Sequence, residues 1–454
     1  MQNALQNKVS FLSLIKYTFP TVVMMVFFSL YTIIDGMFIS SFVGANALSA
    51  TNIVFPVISI LIGIGIMFAT GGSAIVAKYM GEGKDTEAKE SFSLITLSTL
   101  VCGGIVAIIA LFFIKDIIYA LGTTDLLYQY GHNYLFTMLV FTPFILLKVY
   151  FDYFLVTAGA PKLGLISSIS GGIVNIVLDY IFIVSFNLGV TGAALATCIG
   201  YVLPSIIAII YFTKKTNTLY FVKPKFNFNV IKDSCINGSS EMVTQLSSAV
   251  TTFLYNVTML KFLGEDGIAA ITIILYIQFL LNAAYLGFTS GASPRISFNY
   301  GSQNKEQVQK LIKYSYIIIF IFSISSFVIA RGLSEALIAT FTAKGTSLFD
   351  ITLNGFIIFS IGFLVSGLNI FTCGMFTAFS NGKVSALLSL LRTFILFTLG
   401  IVVLPFLFHI NGVWLVVPFA EFSTLIFSIV FLYKYRNQYM YDNLFSNKEA
   451  LDIL

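Results

Sequence analysis

GGSAIVAKYMGEGKDTEAKE occupies residues 71–90, and GASPRISFNYGSQNKEQVQK occupies residues 291–310. In each, a small-residue apolar stretch runs into a polar turn, at Gly81 and at Gly301, and a charged helix start follows. The two turn glycines stand 220 positions apart. Working outward, the same spacing relates SFVGANALSA around Gly44 to KFLGEDGIAA around Gly264, TAGAPKLG from Thr157 to TAFSNGKV from Thr377, and VTGAAL around Gly192 to INGVWL around Gly412. Four anchors sharing one spacing mark a tandem duplication.

Both copies are built for lipid. Of 454 residues, 57% are hydrophobic and 10% charged, against roughly a quarter charged in soluble domains. The apolar runs reach the roughly 20 residues that a helix needs to cross a hydrocarbon core, and the alternation of a membrane β-barrel is absent. The expected fold is an all-α polytopic membrane protein of 12 transmembrane helices in two homologous six-helix lobes. Spans are read at 11–40, 48–78, 88–114, 126–152, 161–184 and 190–212, then at 233–262, 266–299, 308–330, 348–378, 384–408 and 411–434. The first lobe is 1–212, the basic segment with Lys214, Lys215, Lys223 and Lys225 lies in a linker 213–232, the second lobe is 233–436 and a tail covers 437–454. With six spans per copy, both copies enter from one side, which predicts parallel repeats around a central cavity that opens alternately to either face.

Counting crossings sorts the charges. Of 25 Lys and Arg, 21 fall on one side, among them Lys148, Arg295, Arg392 and Lys448. Only Lys115, Lys261, Arg331 and Lys344 fall on the other. The positive-inside rule then places both termini in the cytoplasm. The net +5 is topological and calls for no nucleic-acid partner. No cleavage pattern follows the first apolar run, so that helix is expected to be retained. Cys102, Cys198, Cys235 and Cys373 lack the spacing of a disulfide framework or metal site, and His132 and His409 stand alone. No phosphate-binding GxxxxGK[ST] loop is present, so uphill movement would draw on an ion gradient, and the chain reads as a transporter with no enzyme activity and no cofactor.

Ionisable groups inside a membrane are costly unless paired or used. Asp35 lies late in the first helix, and Asn175 and Asp179 share one face of the fifth. At 1.5 Å per residue, Asp179 is roughly 25 Å from the inner end of its helix, with Tyr134 and Thr197 about 12 and 10 Å from the outer face. All five can meet in the outer half of the first lobe, where two close carboxyls would share a proton or balance an oxygen-liganded cation such as Na⁺. In the second lobe, Glu421 and Arg392 share mid-bilayer depth and can form an ion pair, or Glu421 can attract a cationic substrate. Glu241, early in helix seven and within reach of the inner interface, is a further candidate substrate or polar site of this lobe, or else a solvated or capping group.

Two homologous lobes, Pro20 early and Asp35 late in helix one, N-x-x-x-D at Asn175 and Asp179, Tyr134 and Thr197 together resemble the MATE (multidrug and toxic compound extrusion) exporters of the MOP superfamily, over about Phe11 to Arg436. NIVLD on helix five and Ala420–Glu421 on helix twelve are similar to its MepA-type branch, while Ser290 stands where that branch would carry a glutamate. The resemblance implies a first-lobe site at Asp35, Asn175, Asp179 and Thr197 coupled to H⁺ or Na⁺, a helix-one bend at Pro20, and export of drug-like, cationic amphipathic compounds. It implies a multi-pass protein of the cell membrane, working as a monomer. The rival readings are a flippase for lipid-linked precursors or a metabolite exporter of the same superfamily. A flippase would hold phosphate with basic residues, and Arg392 is the one deeply placed candidate in the second lobe, while the first lobe has acidic groups.

Overall fold

The computed structural model describes residues 4–442; Lys448 and the tail beyond Asp442 lie outside the described residues. The first half comprises α1 (Phe11–Phe38), α2 (Ala45–Gly81), α3 (Asp85–Phe112), a short α4 (Ile114–Ala120), α5 (Asp125–Val140), α6 (Thr142–Thr157), α7 (Pro161–Asp179) and α8 (Gly189–Thr213). The second comprises α9 (Phe228–Gly301), α10 (Lys305–Gly332), a short α11 (Ser334–Ala339), α12 (Ser347–Phe359), α13 (Phe363–Ala378), α14 (Gly382–Leu390), α15 (Leu396–Trp414) and α16 (Val416–Tyr435).

Ten helical stretches are long and apolar enough to cross a bilayer, and α5 with α6 makes an eleventh that is bent by 61°. Helix α9, 74 residues long, is itself two spans, because Gly264 sits inside it at φ 66°, ψ −150°, a conformation open to glycine. The described residues therefore hold twelve crossings. Large apolar side chains such as Phe112 and Phe406 stand more than four-fifths exposed on the outside, as a lipid-facing surface requires.

Two boundaries shift notably from the sequence reading. The linker is 214–227, since α9 starts at Phe228 with Asn227 accepting from the Asn229 amide as its cap. The fourth span extends to Thr157, five residues past the expected 152, because Pro143 opens α6 and the chain turns at Phe141. The break between helices eleven and twelve falls where the sequence reading put it, between 408 and 411, at His409, whose φ of 51° interrupts α15.

The duplication is written in the backbone as well. Left-handed φ recurs at the 220-residue spacing: Gly44 and Gly264, Gly83 and Gln303, Gly189 and His409. In two of these pairs the second half keeps the corner without the glycine.

The ends of the chain meet on one face of the bundle. The Val9 amide donates to Gln307 Oε1 at 2.6 Å, and Lys305 Nζ lies 2.7 Å from Asp442 Oδ1. This face, called here the terminal end, is also where the lobes touch. A Cβ on Gly81 would come within 2.0 Å of the Phe298 carbonyl oxygen, and one on Gly301 within 2.3 Å of the Lys78 carbonyl oxygen. Further in, Gly71 abuts the Ser234 carbonyl and Gly291 abuts Thr18 and Thr21. The buried apolar clusters follow the same division. At the terminal end, the second-lobe cluster takes in Val9 and Leu14, and the first-lobe cluster takes in Val230 and Phe298. At the opposite end, the cluster from Ile39 to Tyr201 and that from Tyr255 to Val417 each stay within one half. The lobes are thus sealed together at the terminal end and keep separate cores at the other.

Arg295, expected near a helix end on the basic side, is buried and ties down the start of the chain. Its Nη2 donates to the Asn7 carbonyl at 2.8 Å and its guanidinium lies 5.4 Å from the Tyr17 ring.

Candidate functional site

Glycines bring the first-lobe site together. Gly171 on α7 lies against the Gly200 carbonyl of α8, with Pro204 beside it, and the neighbouring Gly172 admits Phe27 and Tyr31 of α1. One turn beyond these contacts come Asn175 and Thr197, and one turn beyond Tyr31 comes Asp35. Asn175 Nδ2 donates to Thr197 Oγ1 at 3.4 Å, and Thr197 Oγ1 reaches Asp35 Oδ1 at 3.5 Å and the Ala193 carbonyl at 3.1 Å. Asp179 is fully buried, with its carboxyl facing that of Asp35. Tyr134, on α5, is buried beside both acids but hydrogen-bonds to none of the other four.

The site holds more acceptors than donors. Asn175 Oδ1 and both Asp179 carboxyl oxygens are buried with no hydrogen-bond partner among the described residues. Each such group ordinarily costs about 1–3 kcal/mol, so the arrangement suits a proton or a small cation. Wider helical turns flank it at Ile39–Val43 and Tyr180–Ser185, a feature that recurs at functional positions. Helix α1 runs unbroken through Pro20.

Lys148 overturns part of the sequence reading. It is no basic-side end residue: its Nζ lies 2.7 Å from Asp152 Oδ2, both side chains are buried, and Ser168 Oγ donates to Asp152 Oδ1 at 3.0 Å. The ammonium also sits 4.8 Å from the Phe28 ring and 5.7 Å from that of Tyr201, a cation–π setting. The first lobe therefore carries a deep cation as well as its acidic groups. The i, i+4 spacing of Lys148 and Asp152 was the available signal.

In the second lobe, Arg392 Nε donates to Glu421 Oε1 at 2.8 Å, and Asn369 Nδ2 donates to Glu421 Oε2 at 2.8 Å. Arg392 lies in another wide-turned stretch, Leu391–Ile395. Glu241 is neither a cap nor a surface group. It stands 13 residues into α9 and lines a cavity of about 30 Å³ between the lobes, with Thr70, Tyr153, Thr289, Ser290 and Thr377. Ser290, at the position expected to differ, contributes a hydroxyl there and donates to the Gly287 carbonyl. His132 stacks between Tyr128 and Phe136.

Comparison with known proteins agrees with this architecture. The family model described as MatE matches twice, at residues 20–181 and 242–403, one match in each repeat. The chain is 25% identical over 414 residues to a multidrug export protein MepA of Staphylococcus saprophyticus, covering 89% of this chain and 88% of that one. A MepA of Staphylococcus aureus is 24% identical with the same coverage. Among solved structures, the outward-facing conformation of a multidrug resistance MATE family transporter of the MOP superfamily superposes with a TM-score of 0.89 at 20% identity, over 95% of this chain and 97% of that one. A MATE in the straight conformation gives 0.89 at 21% identity over 95% and 97%, and one in the bent conformation 0.85 at 20% over 95% and 96%. The chain belongs to the MatE family. It is a multi-pass membrane protein of the transporter class, with two lobes of six helices.

Proposed function

We propose that this chain is a cation-coupled antiporter that exports drug-like, cationic amphipathic compounds by alternating access of its two lobes. The observation that carries the reading is the cluster of three unpartnered buried acceptor oxygens on Asn175 and Asp179 beside the Asp35 carboxyl. Two carboxyls in a low-dielectric site resist being charged together. H⁺ binding, or Na⁺ held by Asp35, Asn175, Asp179 and Thr197, relieves both the repulsion and the orphaned acceptors, and the helices that carry them are free to repack. Tyr134 closes one side of that site. Pro20 leaves the Lys16 carbonyl of α1 without its intrahelical donor, which makes that turn the place for the helix to bend.

The relatives are named as multidrug export proteins, and an interlobe cavity with Glu241 among hydroxyls suits a cation. Glu421 is occupied by Arg392 and Asn369, so cation attraction passes to Glu241. A flippase is less well supported: the two cations set within the lobes, Lys148 and Arg392, each carry a carboxylate partner. Both described ends on one face suit an even number of crossings, with the termini cytoplasmic in a cell membrane.

The test is efflux of a fluorescent cation from proteoliposomes with proton and sodium gradients imposed separately. Asp35→Asn and Asp179→Asn should each abolish gradient-driven efflux while leaving folding intact. Coupled efflux unchanged in both variants would overturn the proposal.

A further inference from the structure

The 220-residue spacing carries the first-lobe site onto a second-lobe position where its chemistry is replaced. Tyr255 stands where Asp35 does, Val417 where Thr197 does, and Ile395 and Leu399 where Asn175 and Asp179 do. Glu421 stands where Tyr201 does. Instead of a filled core, this position holds a cavity of about 180 Å³, lined by Tyr255, Asn282, Gln278, Arg392 and Glu421 with a row of hydroxyls including Ser248 and Thr252. About 10–15 Å³ of such space already admits one water, so the hollow has room for several.

Its polar groups are left over in a pattern. Tyr255 is 1% exposed, and its hydroxyl has no partner among the described residues; neither does the Asn282 Oδ1. Arg392 donates one hydrogen bond to protein, from Nε, so its four terminal N–H donors have no acceptor among the described residues. Glu421 is spent on both oxygens. The cavity therefore offers a forked cationic donor edge at one place and neutral acceptors at another, with its own charges already balanced. A lone anion would add a net charge beside Glu421, and a dianionic phosphate would add two. A group carrying one carboxylate together with an ammonium adds none.

We infer that this second-lobe cavity binds zwitterionic ligands, the carboxylate on the terminal edge of the Arg392 guanidinium and the ammonium toward Asn282 Oδ1 and Tyr255 Oη. That extends the cargo beyond simple cations and rests on the exporter reading only for its physiological direction, since the binding itself needs no gradient.

The test uses the full chain in nanodiscs at equilibrium, with Nε-dansyl-lysine as the zwitterionic probe and its methyl ester as the carboxylate-free control. Removing the ion pair as a unit, in Arg392→Gln/Glu421→Gln, leaves no orphan buried charge; a melting profile establishes that the variant folds. The expected result is a loss of about 10- to 100-fold in affinity for the zwitterion, as for a charged hydrogen bond, with the ester's affinity unchanged. Tyr255→Phe, which keeps the ring and the packing, removes a partner of the ammonium that both probes carry, and should weaken both several-fold. Equal losses for the two probes in the double variant, or an affinity for the zwitterion undiminished in either variant, would overturn the assignment. Failure of coupled efflux would leave these binding results readable.

Discussion

Lys148 Nζ lies 2.7 Å from Asp152 Oδ2, one helical turn apart on α6, and water reaches almost none of either side chain. A pair of this kind is held more by the cost of breaking it than by its own strength. Lys148→Met should destabilise the protein by about 3–5 kcal/mol, because Asp152 is left charged and buried. Lys148→Met/Asp152→Leu should recover most of that loss. Melting temperatures of the three purified proteins, followed by size-exclusion fluorescence, decide it; equal melting of single and double variants would show that the pair contributes nothing as a pair.

A carboxylate facing the interlobe cavity predicts a charge-selective defect. Glu241→Gln should raise the apparent KM for monovalent amphipathic cations by about tenfold, the effect of losing one favourable charge contact of roughly 1.4 kcal/mol, and leave neutral substrates of similar size unchanged. Transport assays over matched cation and neutral pairs check it, and a uniform defect would assign Glu241 to packing.

The seal between the lobes predicts a change in access. Gly301→Val drives side-chain atoms into the Lys78 carbonyl, already 2.3 Å from an ideal Cβ. In a cysteine-free background, Ser73→Cys should resist a water-soluble maleimide added from the terminal end, since Ser73 is 4% exposed. Adding Gly301→Val should make it react. Continued protection would mean that the helices absorb the clash without parting.

His409 predicts a gain. It holds a φ of 51° that its counterpart Gly189 adopts at 57° without a side chain. Such a backbone costs a non-glycine residue on the order of 1–3 kcal/mol. His409→Gly should therefore be neutral or raise stability by about 1 kcal/mol, read as a shift in melting temperature; a clear loss would show that the imidazole makes a contact worth more than the strain.

Much of this could be read from the sequence because lipid simplifies the problem. Long apolar runs defined the spans, and repeated glycines defined the repeats. Asn175 and Asp179 were legible because one helical face fixes their neighbourhood, and Arg392 with Glu421 because depth follows from residue count. Lys148 was misplaced for a definite reason: the turn at Phe141 and the extension of α6 to Thr157 carry it deeper than an uninterrupted helix ending near 152 would. Of the two readings of Glu241, the solvated or capping one falls for a similar reason, since α9 begins five residues before the expected start and carries Glu241 deeper. The cavity at Tyr255 and Arg392 was hidden, because it depends on which side chains from four separate helices find no partner, and no periodicity records that.

Gly81 meets the carbonyl of residue 298 while Gly301 meets that of residue 78, and these four positions are two pairs under a single 220-residue shift. That reciprocity is the signature of an isologous surface, in which one patch is complementary to itself. Each six-helix repeat thus carries everything needed to clasp a second copy standing upright beside it in the same orientation. The covalent linker settles which partner is met and at what concentration, and it frees the two sides to diverge, one toward acids and the other toward a neutral polar hollow, without loosening the grip between them.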